Sequence, residues 1–135
     1  MFKKSCYLIF LFTLGCTPSS EVQINLLVGY WEIEFITQEN EKFSPKAQAP
    51  LYDHYQLNFP NGLLNKVAPL LDGSYSSSED VTPFIIEKLN KNYYIRFQSR
   101  WDDWSRKIYY LDSQKLILEN ENRAYHYKRP IKLDL

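Results

Sequence analysis

The chain has 135 residues, 44% hydrophobic and 16% aromatic, and its 16 Lys and Arg balance 16 Asp and Glu to a formal net charge of zero. That length holds one domain with one core, and the lack of a basic stripe excludes nucleic acid as an expected partner. Cys6 and Cys16 are the only thiols.

Lys3 and Lys4 form a short basic start, followed by an apolar run over residues 6–14. The run is too short for a transmembrane helix, which needs ~20 apolar residues, and it reads as a signal peptide occupying residues 1–15. Its end, Thr13-Leu14-Gly15-Cys16, resembles a bacterial lipobox, with small Gly15 before the cut and Thr13 where the commonest pattern has Leu. The resemblance implies that Cys16 becomes a lipidated N-terminus, and two acyl chains there suffice for stable membrane anchoring. An ordinary secretory signal with an incidental cysteine is the alternative. Under the lipobox reading Cys6 leaves with the signal, so the folded part has no disulfide, cysteine nucleophile or zinc–thiolate site. The mature chain then carries 14 basic against 16 acidic residues, a formal charge of −2. Residues 16–25 read as a polar tether and residues 26–135 as the folded domain.

Beyond the tether no helix-period stretch exceeds two turns. Short runs rich in Tyr, Ile, Phe and Leu alternate with turn dipeptides such as Asn61-Gly62 and Asp72-Gly73, which points to an all-β sandwich or barrel. Strands are expected at 29–37, 52–59, 63–69, 73–78, 82–89, 92–101, 104–111, 115–121 and 124–130. An Asn90-Lys91 turn opposes Ile86 to Ile95 and Phe84 to Phe97. With Asp102-Asp103 as a hairpin turn, Trp101 faces Trp104, Ser99 faces Arg106, Phe97 faces Ile108 and Ile95 faces Tyr110. A three-residue loop at 112–114 opposes Tyr110 to Leu116 and Ile108 to Leu118, and an Asn122-Arg123 turn opposes Leu118 to Tyr127. Because side chains alternate between faces, all four strands share one mainly apolar side. A meander of this kind tends to close into a barrel, which removes its exposed edges.

Val28-Gly29-Tyr30-Trp31 opens the first strand, and Gly29-x-Trp31 resembles the G-x-W signature of lipocalins. Together with Leu116-Ile117-Leu118 and the closing Tyr125 to Arg129 segment, it makes the mature chain similar to the short lipocalin-like lipoproteins of Bacteroidetes. The resemblance implies a small antiparallel up-and-down β-barrel of about eight strands. It also implies a barrel base in which Trp31 plugs the closed end beneath Arg129, with Gly29 beside it. Small apolar ligands bind such barrels at the opposite end.

The expected ligand pocket and mouth is therefore built from Phe35, Phe43, Tyr55, Phe97, Trp101, Trp104, Tyr110, Leu118, Tyr125 and Tyr127, under a lid formed by the long connection at 38–51. The other reading is a barrel packed solid by its own side chains. Asp102 and Asp103 do not form a glycosidase pair, since adjacent turn residues do not hold two carboxyls ~5–10 Å apart across a substrate. His54 and His126 read as solvated surface residues. No triad spacing, phosphate loop or metal-ligand cluster is visible, so neither an enzyme nor a cofactor nor a metal is expected. The sequence thus supports a non-enzymatic lipoprotein that binds or carries a small apolar molecule, anchored to a membrane through its acyl chains. The alternative is a structural or adaptor lipoprotein with a filled barrel, an accessory subunit docked on an envelope protein partner. Thr17-Pro18-Ser19-Ser20 lacks the acidic cluster resembling surface-export signals, which favours the outer membrane facing the periplasm.

Overall fold

The structure is a computed structural model that describes residues 22–45, 51–98 and 103–131, with only the backbone of Ser78, Glu79 and Asp103. Cys16, Trp101, Asp102 and the first part of the tether lie outside the described residues. A 3₁₀ helix, Ile24–Leu27, precedes nine strands. These are β1 (Gly29–Gln38), β2 (Glu41–Phe43), β3 (Tyr52–Asn58), β4 (Asn61–Pro69), β5 (Tyr75–Leu89), β6 (Asn92–Gln98), β7 (Asp103–Leu111), β8 (Lys115–Asn120) and β9 (Arg123–Lys128).

Each strand pairs antiparallel with its neighbour in the order β2-β1-β3-β4-β5-β6-β7-β8-β9, and β1 also pairs with β9. The β1–β9 ladder closes an eight-stranded up-and-down barrel of lipocalin-like topology, with β2 as a short flap on the far end of β1. Closure leaves no long edge open to another chain. Leu27, Trp31, Tyr55, Phe84, Ile86, Ile95, Phe97, Ile108, Leu111, Leu116, Leu118 and Tyr127 form the interior cluster. Fully burying a large apolar side chain contributes about 1.5–3 kcal/mol, so this cluster dominates folding.

Several expectations need correction. Val22 and Ile24 pack against the core and Leu27 is fully buried, so the folded part begins before the boundary at 26 drawn from the polar tether. The connection at 38–51 contains β2, which turns back on β1 through Gln38↔Glu41. The segments 73–78 and 82–89 are one strand, with an irregularity opposite Asn65 and Val67 where its polar middle interrupts the apolar pattern. Asn61-Gly62 is not a turn. Gly62 lies within β4 because the Phe84 ring occupies the space of a side chain there: a Cβ would sit 2.1 Å from Phe84 Cζ.

The β5–β6 hairpin has the expected register, Phe84↔Phe97 and Ile86↔Ile95. The next hairpin is shifted by four residues. Phe97 opposes Trp104, Ile95 opposes Arg106 and Tyr93 opposes Ile108, and Asp103 lies in β7 opposite Gln98 instead of in a turn. In β8–β9 the shift is two: Leu116 opposes Tyr127 and Leu118 opposes Tyr125, which moves the turn to Glu121-Asn122. An even shift keeps every side chain on its original face, so alternation alone cannot detect it.

Candidate functional site

The base is assembled around Trp31. Its indole Nε1 donates to Leu27 O at 2.9 Å, which lets the ring be fully buried without a lost hydrogen bond. The Arg129 guanidinium lies 3.6 Å from the centre of that ring. Its Nη2 donates to Leu26 O at 2.7 Å, Nη1 to Tyr30 O at 3.0 Å and Nε to Ser113 O at 3.2 Å. Burial lowers the guanidinium pKa from its ordinary value. Gly29 adopts φ +118°, and a Cβ there would stand 2.9 Å from Arg129 Nη1. The structure thus brings Gly29, Trp31 and Arg129 together, and they close this end.

Above the base the barrel is not filled. The β1–β3 ladder stops at Glu32↔Tyr52, while β1 runs on along β9 to Gln38. Where β1 and β3 part there is a cavity of about 400 Å³, lined by Ile33, Ile36, Tyr125 and Tyr127, by Asp53, Lys66 and Arg106, and at its rim by Glu32, Pro45 and Leu51. The volume lies within the range of small-molecule sites, roughly 300–1,000 Å³.

Its polar groups are arranged unevenly. Asp53, nearly fully buried, is ion-paired with Lys66. Arg106 reaches inward from β7, with its guanidinium 4.3 Å from the Tyr125 ring centre and 4.9 Å from that of Trp104. Its Nη1 donates to Tyr127 Oη at 3.4 Å. Burial, then the negative charge of Asp53, pushes the Tyr127 phenol well above its ordinary value. Burial, then the neighbouring Tyr127 and Asp53, does the same to Tyr55. Both hydroxyls stay protonated at neutral pH. Two buried polar atoms have no hydrogen-bond partner among the described residues, Tyr55 Oη and Arg106 Nε.

The expected pocket residues divide. Tyr125 and Tyr127 line the cavity. Tyr55, Phe97 and Leu118 are fully buried in the core beneath it. Trp104 opposes Phe97 in the β6–β7 ladder and stacks on it at 4.1 Å, while Trp101, its expected partner, lies outside the described residues. Phe35 does not face the interior, because a bulge between Ile33 and Phe35 inverts the alternation of β1 and turns Ile36 inward in its place. Phe35 stacks on His126 at 4.1 Å instead. A second bulge, between Ile108 and Tyr110, turns Tyr110 out to 43% exposure, where its hydroxyl donates to Asp112, and buries Leu111. Phe43, on β2, is 46% exposed and is not part of the lining. Nor are the histidines simply solvated: His54 stacks on Tyr30 at 4.3 Å, and His126 is partly buried against Phe35.

No family model matches the sequence, and no curated protein matches it. Among solved structures, the chain is similar to a lipocalin-like protein from Bacteroides uniformis, at a TM-score of 0.49 and 13% identity over 77% of this chain and 98% of that one. It is also similar to an uncharacterized protein from Bacteroides eggerthii, with a TM-score of 0.48, 12% identity and coverage of 76% and 98%. Lobster apocrustacyanin A1 follows at 0.45 and 13%, covering 88% of this chain and 67% of that chain. The closing β1–β9 ladder and the Trp31–Arg129 base are this chain's own, and make its barrel lipocalin-like independently of these likenesses.

Asp53, Lys66 and Arg106 are the site residues that the sequence reading missed. Arg106 carried a signal, since alternation sets it between Trp104 and Ile108 on an otherwise apolar face. Asp53 carried one too, two residues before Tyr55 on the face that β3 buries. Lys66, opposite Asp53 in the β3–β4 ladder and more than half exposed, meets the buried carboxylate from the surface side. Among the described residues no three His, Cys, Asp or Glu side chains gather as a metal ion would require.

Proposed function

We propose that this protein binds a small, largely apolar molecule inside its barrel, as a lipid-anchored protein of the bacterial cell envelope on the periplasmic side of the outer membrane. The observation that carries the binding reading is the cavity of about 400 Å³ where β1 and β3 part, lined by apolar and aromatic side chains together with Asp53, Lys66 and Arg106. Of the outer-wall residues Tyr94, Tyr109 and Ile117, Tyr109 alone is more than one-third exposed, at 59%. The reading is of a binding protein and not an enzyme.

The anchoring half rests on Lys3, Lys4, the short apolar run and Gly15-Cys16. The test is native mass spectrometry of the full-length protein, extracted from its own host in mild detergent. A co-purified small molecule is the expected result, and an empty barrel after gentle extraction would sink the carrier reading. In the same preparation Cys16→Ala should remove the acyl mass and release the chain from the membrane fraction.

A further inference from the structure

The four charged side chains that line the cavity balance, two acids against two bases, but Arg106 is paired with neither acid. Resting on the reading that the barrel binds a small molecule, we infer that the occupant is an amphiphilic monocarboxylate. Arg106 receives its head group, and Ile33, Ile36, Pro45 and Leu51 receive its tail.

A buried cation is costly unless it is paired and hydrogen-bonded. Of the two acids that line the cavity, Asp53 is held by Lys66, and Glu32 faces Lys128 at 3.8 Å. Arg106 makes no ion pair with any described residue. Its surroundings hold it without neutralising it. Tyr125 and Trp104 supply ring faces to the guanidinium, and the Tyr127 hydroxyl takes only Nη1. On the opposite edge, Nε and Nη2 carry parallel N–H donors at the spacing of two carboxylate oxygens, and no described residue accepts from Nε. Nε is buried and without a partner.

The second orphaned polar atom, Tyr55 Oη, belongs to the same electrostatic neighbourhood as Arg106, Tyr127 and Asp53. An alcohol offers one neutral oxygen where a carboxylate offers two charged ones, and an ammonium would be repelled by Arg106. Ile33, Ile36, Pro45 and Leu51 are apolar and Lys66 is already held by Asp53, so a second carboxylate would find no free partner in the lining. The head therefore points inward and the hydrocarbon outward.

The test compares decanoate, decan-1-ol and decylamine by calorimetry against the full-length protein in detergent, with micelle-only titrations subtracted. Decanoate should bind about ten- to a hundredfold more tightly than decanol, the range of a charge-assisted pair of hydrogen bonds, and decylamine should be weakest. Arg106→Gln should collapse the decanoate-to-decanol ratio toward one, and Arg106→Lys should leave it intermediate, since the charge stays while the fork is lost. Arg96→Gln, on the outer wall beside Glu87, should leave the ratio intact. If either Arg106 variant fails to fold, the preference measured in the unmodified protein decides alone. Equal binding of decanoate and decanol, or a ratio insensitive to Arg106, overturns the carboxylate assignment but leaves small-molecule binding standing. Failure of all three probes, with nothing co-purifying from the host, overturns both.

Discussion

Gly29 shows how one position can be fixed twice. Its φ of +118° lies where a side chain is strained, and the space a Cβ would need is held by Arg129 Nη1. Arg129 cannot easily yield, because its three nitrogens are committed to the carbonyl oxygens of Leu26, Tyr30 and Ser113 and its plane rests on Trp31. Gly29→Ala is therefore expected to destabilise the barrel by about 1–3 kcal/mol, read as a lower urea midpoint at unchanged slope. An unchanged midpoint would mean that the base relaxes freely. Tyr55 offers the opposite case. Its hydroxyl is buried without a partner, so Tyr55→Phe removes an unsatisfied group and leaves the ring in place. Stability should be unchanged or raised by up to about 1 kcal/mol, measured by the same urea titration. A clear loss would reveal a hydrogen bond made by that hydroxyl within the folded chain.

At the scale of strands, the turns and bulges decide which side chains meet. The β5–β6 hairpin reverses through Asn90 and Lys91, with φ of 50° and 72°, the paired left-handed geometry of a two-residue turn that matches strand twist. Lysine is strained there where glycine is not, so Lys91→Gly should raise the thermal midpoint, by about 1 kcal/mol in stability. A fall would mean that the contact of Lys88 with the Tyr93 ring, or the fixed turn itself, depends on Lys91. This hairpin was legible in the sequence because apolar pairs flank a turn of the shortest length. The β6–β7 and β8–β9 hairpins were legible only in part. Their buried faces follow from alternation, but shifts of four and two residues preserve those faces, and the choice among them is made by loop conformation and by packing such as Phe97 on Trp104. Bulges are the harder case. Those after Ile33 and Ile108 invert the alternation, which is why Phe35 and Tyr110 were assigned inward and stand outside. Nothing local marks these positions; closure of the whole ring imposes them.

Across the whole molecule, closure places Tyr127 from the last strand beside Asp53 from the third and Arg106 from the seventh, a cluster assembled only when β9 meets β1. It makes the cavity polar on one side, and it makes folding sensitive to alkali. Unfolded phenols ionise near pH 10, whereas burial holds Tyr55 and Tyr127 protonated to higher pH. With both folded values raised above the unfolded ones, the contribution is complete below about pH 10. It is lost as pH rises toward the folded values, because the unfolded chain releases protons that the folded chain keeps. Each such phenol steepens the decline by about 1.4 kcal/mol per pH unit at most. Tyr127→Phe also gives up the contact with Arg106 Nη1, which costs stability at every pH, so the absolute midpoint does not isolate the effect. The slope does. Between pH 10 and 11.5, urea midpoints of Tyr127→Phe should fall less steeply than those of the unmodified protein, while the two lines run parallel from pH 7 to 9. Parallel lines throughout would show that Tyr127 ionises in the folded barrel as readily as in water, and that solvent reaches the polar side of the cavity.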